Sequence, residues 1–321
     1  MTIGLIGLGS IGERHARNIQ RLFPNASLDI LTKRSVWKDV ANRTRLVHSE
    51  KEFFRATHDV YFIANETHKH NETILRCLAQ KPRGIFVEKP LSHTLKHAIK
   101  ISTLVKKQRT VLVVGYNLHY FAPLRELKRL LKKQAIGKIL AVRVFVGQDL
   151  RAWRKRDYRK SYSASSLQGG GVTLDLIHDL NYPAWLLAER LQLVAGGVKK
   201  ISALAIDTED IAEGIFCTPK GTLVAIHQDY LAIPGGRSCE LYGTKGTINW
   251  QWHFPDKKST IRIAFPDKAH TRVISHGDTN RMYSEETRDF MRHVRKKDGY
   301  TNLSEAIADV DNAISLRSLN I

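Results

Sequence analysis

Short apolar runs at residues 3–6, 28–31, 60–64, 84–87 and 111–116 alternate with longer, helix-like stretches at 13–22, 68–79 and 94–108. Short strands separated by helices of that length point to parallel pairing through crossover connections. Residues 1–118 are therefore expected to form a doubly wound α/β sheet. Past residue 116 the rhythm changes. A helix at 121–133 and a strand at 138–146 lead into a long polar loop and then a helix running through residue 188. Strand-like segments follow at 201–206, 211–217, 222–230, 238–242, 247–252 and 261–265, with Gly243-Thr244-Lys245-Gly246 as a turn between two of them. Helices at 284–297 and 304–316 close the chain, the latter with Ser304 as its expected N-cap. The pattern predicts a second, α+β domain over 119–321, built on a large and mostly antiparallel sheet.

Length agrees with two domains, since 321 residues exceed the size at which single cores usually stop growing. No apolar run approaches the roughly 18 residues of a membrane helix, and the apolar start lacks a preceding basic segment, so a chain that is neither membrane-spanning nor exported is expected. Cys77, Cys217 and Cys239 are odd in number and far apart, which suggests neither a disulfide framework nor a zinc site and fits a reducing cytoplasm. No metal-ligand spacing is evident. The charge is extreme, with 51 Lys+Arg against 31 Asp+Glu and a net +20. Those cations are spread over helical stretches such as 124–133 and 281–297, without a zinc-finger spacing or RNA-binding signature. Specific nucleic-acid binding is therefore not expected, whereas a negatively charged small substrate would exploit the same field.

The first chemistry-bearing motif is Gly7-Leu8-Gly9-Ser10-Ile11-Gly12, set between the run Ile3-Gly4-Leu5-Ile6 and a helix. Strand, glycine loop and helix in that order form the setting of a dinucleotide site. Gly7 takes the tight turn, Gly9 lets backbone approach a diphosphate, and Gly12 lets helix and strand pack closely. The diphosphate rests on the helix's unpaired amides. After the second strand the sequence reads Leu31-Thr32-Lys33-Arg34-Ser35. With no acid there to hold an adenosine ribose, and two cations to receive a 2′-phosphate, NADP is favoured over NAD.

Three further clusters narrow the chemistry. Glu88-Lys89-Pro90 follows the fourth apolar strand, so Lys89 is delivered to the carboxyl edge of the sheet, where it can hydrogen-bond a substrate hydroxyl. In Gly169-Gly170-Gly171-Val172-Thr173-Leu174-Asp175-Leu176-Ile177-His178, Asp175 and His178 lie three apart and share one face if the segment is a continuous helix. Alcohol oxidation needs a base near neutral pKa, which a histidine supplies, and a carboxylate beside it orients the ring or binds a hydroxyl. From Arg151 to Lys160 six basic residues face one acid, with Trp153 and Tyr158 interleaved. In a long loop such residues can grip an anion and stack on a sugar or base.

Together these motifs resemble the Gfo/Idh/MocA family of glucose-fructose oxidoreductase, inositol dehydrogenase and related sugar dehydrogenases. The resemblance rests on residues 7–12 followed by His15, on Thr67-His68-Lys69-His70, Glu88-Lys89-Pro90, Gly115-Tyr116-Asn117, residues 169–178 and Gly243-Thr244-Lys245-Gly246-Thr247. It implies an N-terminal Rossmann domain, NAD(P), and reversible hydride transfer at a sugar or nucleotide-sugar carbon. It also implies a cis Lys89-Pro90 bond and a C-terminal sheet through which copies of the chain form a dimer or tetramer. Lys89, Asp175 and His178 are then the catalytic group. Gly7, Gly9, Ser10, Ile11, Gly12, Thr32, Lys33, Arg34, Asn65, Thr67, His70, Glu88 and Lys89 are the expected cofactor contacts. Tyr116, Asn117, Trp153, Arg154 and Tyr158, with Asp175 and His178, are the expected substrate contacts.

Two departures stand out: the family pattern places His four residues after Asp and another Asp three beyond, where this chain has an interval of three and Asn181. A branch found in bacterial surface-polysaccharide and nonulosonic-acid loci is similar in that spacing and in the 153–164 segment. The alternative is a catalytically inactive dinucleotide-binding redox sensor, which keeps the glycine loop without needing Lys89, Asp175 and His178 together.

Overall fold

The computed structural model describes residues 1–153 and 157–319. One compact unit comprises Met1–Asn117 with Asn280–Ile307. Its strands β1 (Thr2–Ile6), β2 (Ser27–Leu31), β3 (Thr44–Val47), β4 (Val60–Ile63), β5 (Gly84–Glu88) and β6 (Val111–Gly115) form a parallel sheet in the order β3-β2-β1-β4-β5-β6. Strands β4, β5 and β6 are buried along their whole length, which is why they read as unbroken apolar runs. The order reverses between β1 and β4, opening a crevice at the carboxyl ends of the strands. Helices Ser10–Leu22, His70–Ala79 and Ala98–Gln108 form the connections. β3 escaped the sequence reading because Thr44-Arg45-Leu46-Val47 carries two polar residues at a sheet edge.

The helix Asn280–Lys296 corrects the expected division of the chain at residue 118. Its Phe290, Met291 and Val294 enter the core that holds Phe62, Phe86 and Val111. Gly84 permits this approach, since a Cβ there would lie 2.5 Å from Val294. Asn302 then covers the open edge of β6, accepting from the Val114 amide at 2.8 Å and donating to its carbonyl at 3.0 Å. The following helix, Leu303–Arg317, starts one residue before Ser304, and Thr301 Oγ1 rather than Ser304 accepts from the Leu303 amide.

The second unit comprises Leu118–Thr279 with the chain from Ala308 onward. Strands β7 (Ile139–Gly147), β8 (Gln192–Lys199), β9 (Ile211–Cys217), β10 (Leu223–Asp229), β11 (Gly236–Gly243), β12 (Thr247–His253), β13 (Lys258–Phe265) and β14 (Lys268–Ser275) form one sheet. The order is β14-β13-β12-β11-β7-β10-β9-β8, antiparallel throughout except for the parallel pair β7 and β10. Alternate residues such as Val142, Val144, Val146, Val224, Ile226 and Trp250 are buried on one face. Helices Ala122–Lys132 and His178–Leu187 pack with this sheet's unit.

Residues 201–206 are not a strand, although Leu204 and Ile206 are buried as their pattern suggests. Asp210 captures the Ile201 and Ser202 amides at 2.8 and 2.9 Å and curls the segment into a turn. The strand lies earlier, at Gln192–Lys199. Gly243 to Gly246 does form the turn between β11 and β12, closed by the Gly243 amide on the Gly246 carbonyl.

Candidate active site

The glycine loop lies between β1 and the Ser10–Leu22 helix, at the carboxyl edge of the first sheet. Gly7 has φ +96°, and a Cβ on it would sit 2.6 Å from the Ala64 carbonyl oxygen. At Gly12 a Cβ would fall 2.1 Å from the Gly7 oxygen, whereas at Gly9 it would meet nothing within 4 Å. Two glycines are thus demanded by the fold, and the third keeps open a space the protein itself does not fill. Gly9 caps the helix without a side-chain hydrogen bond, so the first-turn amides face that space uncapped. Ser10 is exposed and Ile11 half-buried beside it. The residues present fit a bound dinucleotide diphosphate.

At the end of β2, Thr32 is buried and accepts from the Arg34 amide at 3.1 Å. Lys33 is exposed, while Arg34 hydrogen-bonds Glu13 of the Ser10–Leu22 helix. Other expected cofactor contacts turn inward. Glu88 is buried and lies 2.5 Å from His15 Nε2. His70 is buried, with Nδ1 2.9 Å from the Pro90 carbonyl and Nε2 3.1 Å from the Asn65 carbonyl. Both ring nitrogens of His70 face backbone carbonyls, and a neutral imidazole can donate to only one of them. Carbonyls only accept, and burial lowers the His70 pKa, so we assign the ring as neutral with its proton on Nδ1 at the shorter contact. Thr67 is buried in a single turn at the end of β4, and Asn65 donates to Thr73 Oγ1 at 3.0 Å. Lys89 is half-buried immediately beyond β5, and its bond to Pro90 is cis. Tyr116 and Asn117, just past β6, are both buried, and Asn117 Oδ1 lies buried with no hydrogen-bond partner among the described residues.

In the second unit the segment carrying Asp175 and His178 is broken, which corrects the expectation of a continuous helix. Val172–Asp175 forms a single turn, Leu176 leaves helical geometry at φ −100°, ψ 26°, and a new helix starts at His178. The break falls within the interval that is one residue short of the family pattern. Asp175 is 2% exposed, and its Oδ2 accepts from the Tyr230 hydroxyl at 2.7 Å. Burial foremost, and then the Asp175 charge, push the Tyr230 pKa well up, so the phenol stays a neutral donor. His178 is half-buried at the first position of the His178–Leu187 helix.

That helix is anchored on both sides of its first turn. Arg237 of β11 grips Asp179 through two hydrogen bonds of 2.8 and 2.9 Å, with both side chains buried. Asn181 donates to Asp309 at 2.8 Å and accepts from His119 Nε2 at 2.7 Å. His119 stacks on Trp185 at 4.5 Å, and burial foremost lowers its pKa to about 3. The glycines before Asp175 are held by Arg317, which donates to Thr173 Oγ1 at 2.7 Å, to Glu209 and to the Gly170 carbonyl. Tyr230, Arg237, Asp309 and Arg317 carry no local motif and went unread in the sequence.

In the described part of the basic loop the arginines lie beside acids. Arg151 pairs with Asp149, and Arg159 grips Asp157 through two 2.8 Å bonds, so both guanidinium groups are already engaged by neighbouring acids. Trp153 and Tyr158 pack against the core around Tyr230 and Leu150, and the Tyr158 hydroxyl accepts from the Ala205 amide at 3.1 Å. Both rings remain half-buried. Arg154 lies outside the described residues.

Comparison with known proteins agrees with this layout. Residues 1–116 match the model of an oxidoreductase family with an NAD-binding Rossmann fold, and residues 124–249 match the GFO/IDH/MocA C-terminal domain. A myo-inositol 2-dehydrogenase of Thermotoga maritima is 24% identical over 320 residues, spanning 92% of this chain and 88% of the relative. A levoglucosan dehydrogenase solved with NADH superposes with a TM-score of 0.80 at 18% identity, covering 98% of this chain and 95% of its own. A variant 3-ketoreductase from Actinomadura kijaniata, solved with TDP-benzene and NADP, gives 0.79 at 15% identity, covering 99% of this chain and 97% of its own. Among the described residues no helix is long and apolar enough to cross a membrane. The chain belongs to the Gfo/Idh/MocA family of NAD(P)-dependent oxidoreductases, with an NAD-binding Rossmann domain followed by the family's C-terminal domain.

Proposed function

We propose that this protein interconverts a secondary alcohol and a ketone on an anionic sugar or nucleotide sugar, in a polysaccharide or sugar-acid biosynthetic setting, with NADP preferred over NAD. The observation that carries the reading is that Lys89 leaves the carboxyl end of β5 on the sheet edge that also holds the uncapped glycine loop. The bound NAD(P) supplies the hydride acceptor or donor. Lys89 hydrogen-bonds the substrate oxygen and favours its alkoxide character. His178 takes the hydroxyl proton during oxidation and returns it during reduction. Asp175, fixed by Tyr230, orients His178 or receives a second substrate hydroxyl. Lys33 supports the NADP preference as an exposed cation beyond β2. The net +20 charge supports an anionic substrate, and the 3-ketoreductase relative solved with TDP-benzene lends support to a nucleotide group on it. The three free cysteines fit a cytoplasmic location, and the second sheet supplies the surface for homo-oligomerisation.

The test pairs thermal shift on NAD+ and NADP+ with turnover on a panel of inositols, uronic acids and nucleotide sugars. Stabilisation by NADP+ and turnover on a nucleotide sugar are expected, falling by about 10²–10⁴-fold in Lys89→Met and His178→Ala. Undiminished turnover in both variants removes the catalytic assignment. Cofactor stabilisation without turnover on any substrate class favours the sensor instead.

A further inference from the structure

Lys89 is flanked by two residues that are each held by a buried histidine. On one side Glu88 meets His15 Nε2 at 2.5 Å. On the other the Pro90 carbonyl accepts from His70 Nδ1 at 2.9 Å. Neither histidine belongs to β5. His15 lies in the Ser10–Leu22 helix whose amino end forms the diphosphate site, and His70 reaches back to the Asn65 carbonyl at the mouth of β4.

His15 is fully buried, with ring contacts to Phe62, Phe86 and Tyr283 at 5.8, 5.1 and 6.2 Å, so it has no room to follow a displaced Glu88. Ionisable neighbours of the ring include Glu88 from β5 and Tyr283 from the Asn280–Lys296 helix, with Arg14 over the Tyr283 ring at 4.4 Å, and Glu286 of the same helix interacts with Glu88. Burial first, and then the charge of Glu88, raise the Glu286 pKa well above the carboxylate range. The His15 Nε2–H donates to Glu88 Oε1.

We propose that His15 and His70 are positioning residues that clamp the backbone on either side of Lys89 and tie its placement to occupancy of the glycine loop. Any shift of the Ser10–Leu22 helix as its amino end closes on a diphosphate is passed by His15 to Glu88, and so to the adjoining lysine. The inference rests on Lys89 being the working lysine, but its test reads the Lys89 amine without turnover.

Lysines are reductively methylated with isotope-labelled formaldehyde, and the Lys89 signal is assigned by its loss in Lys89→Met. Its titration midpoint is followed by NMR with and without saturating NADP+ or NAD+. His15→Phe keeps an aromatic ring of similar volume and removes the donor, whereas His15→Gln restores an N–H near the Nε2 position. The wild-type midpoint is expected to move on adding cofactor. His15→Phe should shift the cofactor-free midpoint by about half a pH unit or more and abolish most of the response, and His15→Gln should restore both. His70→Asn, which keeps a donor near Nδ1, should behave like the wild type and His70→Leu like His15→Phe. If folded His15→Phe and His70→Leu keep the wild-type midpoint and response, the clamps are structural only and the proposal fails. Should His15→Phe not fold, the His70 pair decides the matter alone. A catalytically silent Lys89→Met with these shifts intact would refute the role of Lys89 in turnover while leaving the clamp standing.

Discussion

The three glycines of the loop separate residues the fold needs from one the ligand needs. Gly12→Ala places a methyl 2.1 Å from a backbone oxygen that cannot move away cheaply, so it should cost about 3 kcal/mol in urea unfolding. Gly9→Ala adds a Cβ that meets no protein atom within 4 Å, and Gly9 has φ −77°, which alanine adopts freely, so the melting temperature should hold while cofactor affinity falls at least about tenfold in fluorescence titration. Equal losses of stability in the two variants would contradict the view that Gly9 guards the cofactor's space. Tyr230 offers a second contrast. Tyr230→Phe conserves volume but takes away the 2.7 Å hydrogen bond to Asp175, and a cost of about 1–3 kcal/mol is expected by denaturant titration. If Asp175 works through its fixed orientation, turnover on the identified substrate should fall with little change in KM.

At the scale of elements, the His178–Leu187 helix is the part of the site most dependent on distant residues. Arg237→Met leaves Asp179 buried without its guanidinium partner and should cost about 3–5 kcal/mol, whereas the double variant with Asp179→Leu should recover much of that loss. The His119 anchor predicts a pH dependence. Its folded pKa, about 3, lies below the unfolded value near 6.5, so its contribution is present above the unfolded pKa and lost as pH falls toward the folded one. Between about pH 6 and pH 3 wild-type stability should therefore drop more steeply than that of His119→Gln, by up to about 1.4 kcal/mol per pH unit. Parallel acid limbs in stepped-pH urea titrations would contradict a buried, neutral His119.

The same anchors mark where sequence stops being informative. Strands buried on both faces, such as β4, β5 and β6, announce themselves as apolar runs, and Lys89, Asp175 and His178 sit in contiguous motifs. β14, with nearly every residue exposed, has no apolar pattern to read, and the 201–206 segment imitates a strand until Asp210 captures its amides. Arg237 and Asp309 lie 58 and 128 residues from their partners Asp179 and Asn181, and no local spacing joins them. His70 is visible as a motif residue, yet only the structure shows its ring buried with Nδ1 against the Pro90 carbonyl.

For the molecule as a whole, net charge and the second sheet make opposing demands. The face of that sheet opposite its buried side presents Phe145, Ile215 and Ala225 half-buried to exposed and Leu223 at 47% exposure, with His227 stacked on Phe145 at 4.9 Å. His227 is held between Glu213 at 2.5 Å and Asp229 at 2.8 Å, so any charge on that ring is balanced where it sits. Such a mixed surface suits a second copy of the chain, but two bodies of net charge +20 repel. Salt shortens the range of that repulsion to about 10 Å at 0.1 M, so self-association should strengthen as salt rises. Adhesion to a polyanion such as heparin should weaken over the same range, because each contact depends on counterion release. Phe145→Glu should reduce self-association by about a hundredfold in sedimentation equilibrium while leaving heparin retention and cofactor affinity unchanged. A chain that stays monomeric at every salt concentration, or a Phe145→Glu variant that associates like the wild type, would show that this sheet face is not the interface.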